Sequence, residues 1–129
     1  MNSSKICSSC KQTMPISEFI KDAGRRDGFY VYCRDCDSDR ARKRRYGLSK
    51  EQFEFMLESQ NGVCAICKQT FDGTPQVDHS HETGLVRGLL CLCCNTGLAR
   101  FKDSQDNIKR AFEYLSYHRS KQLTTTCTA

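Results

Sequence analysis

Three polar residues near the middle of the chain have the types and spacing for metal or phosphate chemistry. Asp78 and His79 stand together in the run Val77-Asp-His-Ser-His-Glu-Thr-Gly-Leu-Val-Arg-Gly-Leu-Leu-Cys91, and Asn95 directly follows Cys94. Carboxylate and carboxamide oxygens suit a hard cation that also binds phosphate, and an imidazole can exchange a proton with water near neutral pH. Cysteines frame this run on both sides. Cys64-Ala-Ile-Cys67 and Cys91-Leu-Cys-Cys94 are two C-x2-C knuckles with 23 residues between them, and Cys7-Ser-Ser-Cys10 and Cys33-Arg-Asp-Cys36 repeat the arrangement with 22 between. Two such knuckles can place four thiolates around one tetrahedral zinc. Iron–sulfur ligation and redox chemistry also use cysteine, but redox pairs would not need the doubled geometry. Two zinc sites are therefore expected, at Cys7, Cys10, Cys33 and Cys36 and at Cys64, Cys67, Cys91 and Cys94. Cys93 could exchange with Cys91, although the spacing favours Cys91 with Cys94. Four thiolates leave zinc no open position, so its role would be structural and any chemistry would fall to the polar residues.

The elements that must position those residues can be read from local pattern. Val77 and the stretch Leu85 to Leu90 read as two short strands, with Glu82-Thr-Gly84 supplying the reversal and Asp78 and His79 at the end of the first strand. Asn95 should lie at the start of a helix, so a ββα unit can bring Asp78, His79 and Asn95 together while zinc fixes hairpin to helix. In the N-terminal part, Asp27-Gly28 is a turn signal leading into the aromatic run before Cys33, as in a zinc ribbon. Phe19, Phe29, Tyr30 and Tyr32 could stack on bases, but in so small a unit they read as core. The segment Asp39 to Tyr46 has no proline or glycine and reads as a helix, ended by Gly47. Ser49-Lys-Glu-Gln52 is a capping box opening a second helix to about Ser59, with Phe53, Met56 and Leu57 on its inner face and Asn61-Gly62 after it. A last helix, capped by Asp103 or Asp106, carries Ile108, Ala111, Phe112 and Leu115 at helical spacing and is expected to pack back on the second zinc module. From about Leu123 the chain is Thr-rich and reads as a frayed tail, with Cys127 an unpaired thiol of no assigned role.

From Cys64 to Asn95 the chain resembles the recombination endonuclease VII family, within the wider HNH or ββα-metal nucleases. The shared pattern is a C-x2-C knuckle, then Asp-His-x-His-x-Thr-Gly-x-Val-Arg-Gly-Leu-Leu-Cys, then a Cys-Asn pair; a looser likeness runs from about Tyr46 through Leu115. The resemblance implies that Asp78 and the side-chain oxygen of Asn95 ligate one catalytic Mg2+ or Mn2+, with His79 as general base in phosphodiester hydrolysis. His81 could bind phosphate, orient the site or assist the metal, and phosphate contact is favoured. Arg87 could clamp phosphate, or be exposed, or hold the turn. Relatives that resolve branched DNA work as intertwined dimers with longer helical regions, and the oligomeric state of this chain stays open. By resemblance, the chain would suit a phage or mobile element, with the host cytoplasm as its location.

The 129 residues fit one ordinary domain or two very small ones, which excludes a large two-domain cofactor enzyme. No window approaches a membrane span, and Met1 to Lys11 lack a signal peptide's apolar stretch, so a cytoplasmic location is expected. The formal charge is +5, and between Asp37 and Lys50 six basic residues face two acidic ones. Arg40, Arg42, Lys43, Arg44 and Arg45 are thus candidates for contact with a nucleic-acid backbone, against the plain alternative of a solvated linker. Together these readings predict a small α+β, zinc-stabilised chain. A zinc-ribbon-like module (1–38) leads through a basic connector and helix (39–60) to an HNH-type nuclease module (61–122), with a tail at 123–129. DNA is the expected partner, with a protein partner for the ribbon as the alternative. The favoured function is a nicking or double-strand DNA endonuclease. A Holliday-junction or branched-DNA resolvase, and a nucleic-acid-binding zinc protein without cleavage activity, are the alternatives.

Overall fold

A computed structural model describes residues 3–125. Their backbone forms six short strands and four α-helices, arranged as two compact units. One takes the residues up to Ser59 together with Ser80–Val86; the other takes Gln60–His79 and the residues from Arg87 onward. The basic helix and the helix after it group with the N-terminal cysteines in the first of these units.

In the first unit, β1 (Ser4–Ile6) pairs antiparallel with β2 (Thr13–Pro15), and β3 (Phe19–Lys21) with β4 (Phe29–Cys33). Phe19 lies opposite Cys33, and these two with Cys7 form the buried centre, against which Met14, Phe29, Tyr32 and Cys36 pack. Of the four aromatic residues, Phe19, Phe29 and Tyr32 thus belong to the core, and Tyr30 meets Tyr32 edge to face at 5.5 Å. Gly28, at φ +76°, makes the turn that a side chain would strain.

β4 runs directly into α1 (Arg34–Tyr46), with Cys33 as the N-cap, so this helix begins earlier than composition suggested. Its first turn carries Asp35 and Asp37 and its last Lys43, Arg44 and Arg45, a charge order that suits the helix dipole. Gly47 ends it in the left-handed conformation, donating to the Lys43 carbonyl. The capping box then forms as expected: Ser49 N–H donates to Gln52 Oε1 at 2.8 Å and Gln52 N–H to Ser49 Oγ at 3.2 Å, opening α2 (Lys50–Ser59).

The second unit repeats the plan. β5 (Gln76–His79) and β6 (Val86–Leu90) form a two-stranded sheet, and β6 leads through Cys91, the N-cap, into α3 (Leu92–Arg100). The likeness extends to the first knuckles. Cys7-Ser-Ser-Cys10-Lys-Gln-Thr13 and Cys64-Ala-Ile-Cys67-Lys-Gln-Thr70 share a five-residue identity over seven positions, a likeness that cysteine spacing alone does not show. In both, the lysine is left-handed (Lys11 φ 61°, Lys68 φ 60°) and donates back to the first cysteine's carbonyl, while that cysteine donates to the glutamine carbonyl. The small α+β plan with a ββα unit behind each cysteine pair is thus present twice.

α4 (Gln105–Thr125) is capped by Ser104, whose Oγ accepts from Asn107 N–H at 3.2 Å, and not by Asp103 or Asp106. It continues through Thr125, so the helix takes in the start of the stretch read as a frayed tail. Residues 126–129, including Cys127, lie outside the described part. The expected packing of α4 on the cysteine module is not found, since Phe112 is 71% and Leu115 67% exposed. Helical spacing of apolar residues reports a helix and not its neighbour. Among the described residues no helix is long and apolar enough to cross a membrane.

Candidate active site

Each group of four cysteines converges to the dimensions of a metal site. The sulfurs of Cys7, Cys10, Cys33 and Cys36 all lie within 4.8 Å of one another, as do those of Cys64, Cys67, Cys91 and Cys94. Cys93 is exposed and outside the second group, which resolves the choice left open by its spacing. Four sulfur donors at this separation fit one tetrahedral zinc in each group. Among the described residues all nine cysteines are free thiols. Burial pushes the Cys7 thiol up, but backbone N–H groups of Cys33, Cys10 and Ser9 favour the thiolate more strongly and bring it down to about 6. Cys64 is brought to about 6 in the same way, burial being outweighed by N–H groups of Cys91, Cys67 and Ile66. At the other end of each group, burial and neighbouring thiols push Cys36 and Cys94 up to about 12. Both groups thus contain one sulfur already suited to be a metal ligand near neutral pH.

The second group pins β6 to the start of α3. Cys94 N–H donates to Cys91 Sγ at 3.4 Å, and Asn95 N–H to the Cys91 carbonyl at 3.0 Å, so Asn95 lies in the first turn of the helix. α3 packs against β5, whose last two residues are Asp78 and His79. Gln60, a residue without an assigned role in the sequence, fastens the other side of β6. Its carboxamide accepts from Leu89 N–H at 2.8 Å and donates to the carbonyls of Leu89 and Val63 at 2.9 Å. After β5, the loop Ser80 to Leu85 closes on itself: Ser80 N–H donates to the Leu85 carbonyl and Gly84 N–H to the Ser80 carbonyl, both at 2.8 Å. His81 is exposed on this loop, and His79 is half-buried at the strand end.

Asp78 is only 8% exposed, and a buried carboxylate needs a partner. The partner is Arg87 on the paired strand, which grips both oxygens: Nε to Oδ2 at 2.7 Å and a terminal nitrogen to Oδ1 at 2.9 Å. The same terminal nitrogen also reaches Asp103 Oδ1 at 3.1 Å. The hydrogen bond to Asp78 holds the guanidinium's proton more tightly than usual, burial opposes this, and Asp103 adds to it. A carboxylate has about four lone-pair positions, of which this grip uses two. Asp78 and Asn95 carry oxygen donors of the kind that a Mg2+-type ion takes and could hold one, and an arginine is already seated on the carboxylate.

On α1 the basic residues divide into two classes. Arg42 is half-buried, with its guanidinium 3.9 Å from the Phe53 ring centre, paired with Asp39 and with one nitrogen buried without a hydrogen-bond partner. Arg40 lies 4.3 Å over the Tyr32 ring but remains exposed. Lys43, Arg44 and Arg45 are exposed, and Arg40, Lys43 and Arg44 line an open cleft of about 270 Å³. No sequence signal separates Arg42 from its neighbours, since the distinction lies in what α2 places against it.

Residues 39–117 match the family described as recombination endonuclease VII, a stretch that begins inside α1 and so takes in its basic residues. The Gene 59 proteins of Mycobacterium phage D29 and Mycobacterium phage L5 are 38% and 41% identical to the chain over 73 residues, 54% of this chain and 44% of each relative. The matched stretch is thus less than half the length of those relatives. The ββα-Me type II restriction endonuclease Hpy99I is similar in structure with a TM-score of 0.41 and 29% identity, covering 89% of this chain and 66% of that one. With well over half of its length matched to the family, including both knuckles around Asp78, His79 and Asn95, the chain belongs to the recombination endonuclease VII family.

Proposed function

We propose that the chain is a metal-dependent DNA endonuclease that hydrolyses phosphodiester bonds with His79 as general base. The observation that carries this reading is the placement of Asp78 and His79 at the end of β5, against which the Asn95-bearing helix α3 packs. Family membership supports the same chemistry. A divalent ion such as Mg2+ or Mn2+, held by the Asp78 carboxylate and the Asn95 carboxamide oxygen, would supply charge stabilisation at the scissile phosphate and the leaving 3′ oxygen. A ring nitrogen of His79 takes the proton from the attacking water as its oxygen bonds to phosphorus; the bond from phosphorus to the 3′ oxygen breaks and that oxygen takes a proton from solvent, giving a 5′ phosphate and a 3′ hydroxyl. His81, exposed on the loop after β5, contacts substrate phosphate. Zinc in each four-cysteine group holds hairpin to helix and takes no part in the reaction.

Lys43, Arg44 and Arg45, with Arg40 beside them, provide the backbone contacts to DNA. Arg42 serves α1 itself through its seat on Phe53. Cleavage of supercoiled, linear, single-stranded and four-way-junction DNA, compared side by side with Mg2+ and with EDTA, tests the reading. The zinc-loaded protein should nick or cut at least one duplex substrate only when Mg2+ or Mn2+ is added. Binding to all four without cutting any would leave a nucleic-acid-binding zinc protein, and cutting confined to the junction would make it a resolvase.

A further inference from the structure

Arg87 spans two carboxylates that belong to different elements. It is bidentate on Asp78 in β5, and one of its nitrogens also bonds Asp103, beyond the end of α3. Asp103 is itself held in an uncommon way. Lys102 and Asp103 are both left-handed, at φ 57° and 52°, with Lys102 N–H donating to the Ala99 carbonyl and Asp103 N–H to the Leu98 carbonyl, each at 3.0 Å. Two consecutive non-glycine residues in that region are unfavourable unless the surroundings fix them, and such positions concentrate at working sites. Here the turn presents a carboxylate, 25% exposed, to the guanidinium.

We propose that Arg87 is a built-in counter-ion that occupies Asp78 until a divalent cation arrives, and that Asp103 is the second seat that keeps the guanidinium when the cation takes its place. This rests on the reading of Asp78 as a cation ligand. Without a cation, a carboxylate as buried as Asp78 would be unpaired, and Arg87 removes that penalty. When a doubly charged ion binds the same carboxylate, it and Arg87 repel each other. A guanidinium with no alternative partner would have to be displaced into water or tolerate the repulsion. Asp103 neutralises it in place, so the exchange needs only the loss of the grip on Asp78 and not the departure of the side chain. Arg87 and Asp103 are thus positioning residues whose joint effect is to set how tightly the site takes its cation.

The test is Mn2+ binding to the full, zinc-loaded chain, followed by the electron paramagnetic resonance signal of free Mn2+ and without DNA present. Asp103→Asn should weaken Mn2+ binding roughly tenfold, because Arg87 then has one seat only, and Arg87→Gln should tighten it roughly tenfold by removing the competitor. In the Arg87→Gln background, Asp103→Asn should have little further effect, since Asp103 acts through Arg87. Weaker or unchanged binding in Arg87→Gln would overturn the proposal, as would an Asp103→Asn effect of the same size with and without Arg87. Should Arg87→Gln fail to fold, Arg87→Lys replaces the two-pronged grip by a single point of charge and should bind Mn2+ a few-fold more tightly, with no change or weakening again counting against it. Asp78→Asn separates the two levels. Loss of Mn2+ binding there supports the ligand reading on which the proposal rests, and unchanged binding removes that reading whatever the Arg87 variants do.

Discussion

Gln60 closes around the backbone of Leu89, its carboxamide oxygen accepting from the Leu89 N–H at 2.8 Å and its nitrogen donating to the Leu89 carbonyl at 2.9 Å. Leu89 is fully buried, two residues before the cysteine that begins the α3 junction. One side chain thus satisfies the backbone of the strand that carries Arg87. Gln60→Ala would leave the Leu89 N–H without that partner, and should cost about 1–3 kcal/mol. Urea unfolding of the zinc-loaded protein measures this, and an unchanged midpoint would show that Gln60 does not hold β6.

Replacing His79 by alanine should reduce cleavage about 10²- to 10⁴-fold while zinc content and DNA affinity stay near those of the parent protein. The readouts are single-turnover cleavage, elemental analysis and a binding isotherm on the same preparation. Cleavage at the parental rate would dismiss His79 as the base.

The two cysteine groups make separable predictions. The parent protein and Cys93→Ser should each carry two zinc ions, because Cys93 stands outside both groups. Cys64→Ser should lose the second ion and, with it, activity, since hairpin and helix are no longer joined. Mass spectrometry under native conditions reads the stoichiometry, and a loss of zinc in Cys93→Ser would show that the sulfurs had been assigned wrongly.

Neutralising Lys43, Arg44 and Arg45 together should weaken DNA binding and flatten its salt dependence, by up to about 0.9 in log–log slope for each phosphate that is no longer neutralised. Turnover at saturating DNA should largely survive. Arg42→Gln should behave differently, lowering thermal stability because the guanidinium no longer covers Phe53, while changing the salt slope little. Identical slopes for the triple variant and the parent would leave α1 a solvated helix.

The cysteine groups could be read from the sequence because the C-x2-C unit brings two sulfurs together by local backbone geometry, and only the pairing of knuckles remains to be inferred. The strand end at His79 followed from the turn residues Glu82-Thr-Gly84, and a helix at Asn95 from its place after Cys94, although that helix starts earlier, at Leu92, with Cys91 as its cap. The capping box at Ser49 and Gln52 was legible for the same reason, since both partners lie within one turn. What stayed hidden depends on elements meeting. Arg87 was visible as a candidate, but its two-pronged hold on Asp78 requires the pairing of β5 with β6, and Asp103 enters only through a left-handed turn that no residue type announces. Asp103 read instead as a helix cap, a role that Ser104 fills. Arg42 read as one basic residue among five, although its neighbour Phe53 belongs to the next helix. The apolar positions of α4 gave its period correctly and its packing incorrectly, because periodicity carries no information about a partner surface.

Gly88 has a consequence for the order in which this sequence can change. A Cβ there would sit 3.3 Å from Gln60 Oε1, the atom that is already committed to the Leu89 N–H and so has little freedom to move aside. Alanine at 88 is therefore poorly tolerated while glutamine stands at 60, whereas a chain that first loses Gln60 has space for the methyl group. The two positions form a ratchet. A lineage that drops the glutamine and then fills the space cannot regain the clasp by a single substitution, and glutamine at 60 should be found only with glycine at 88.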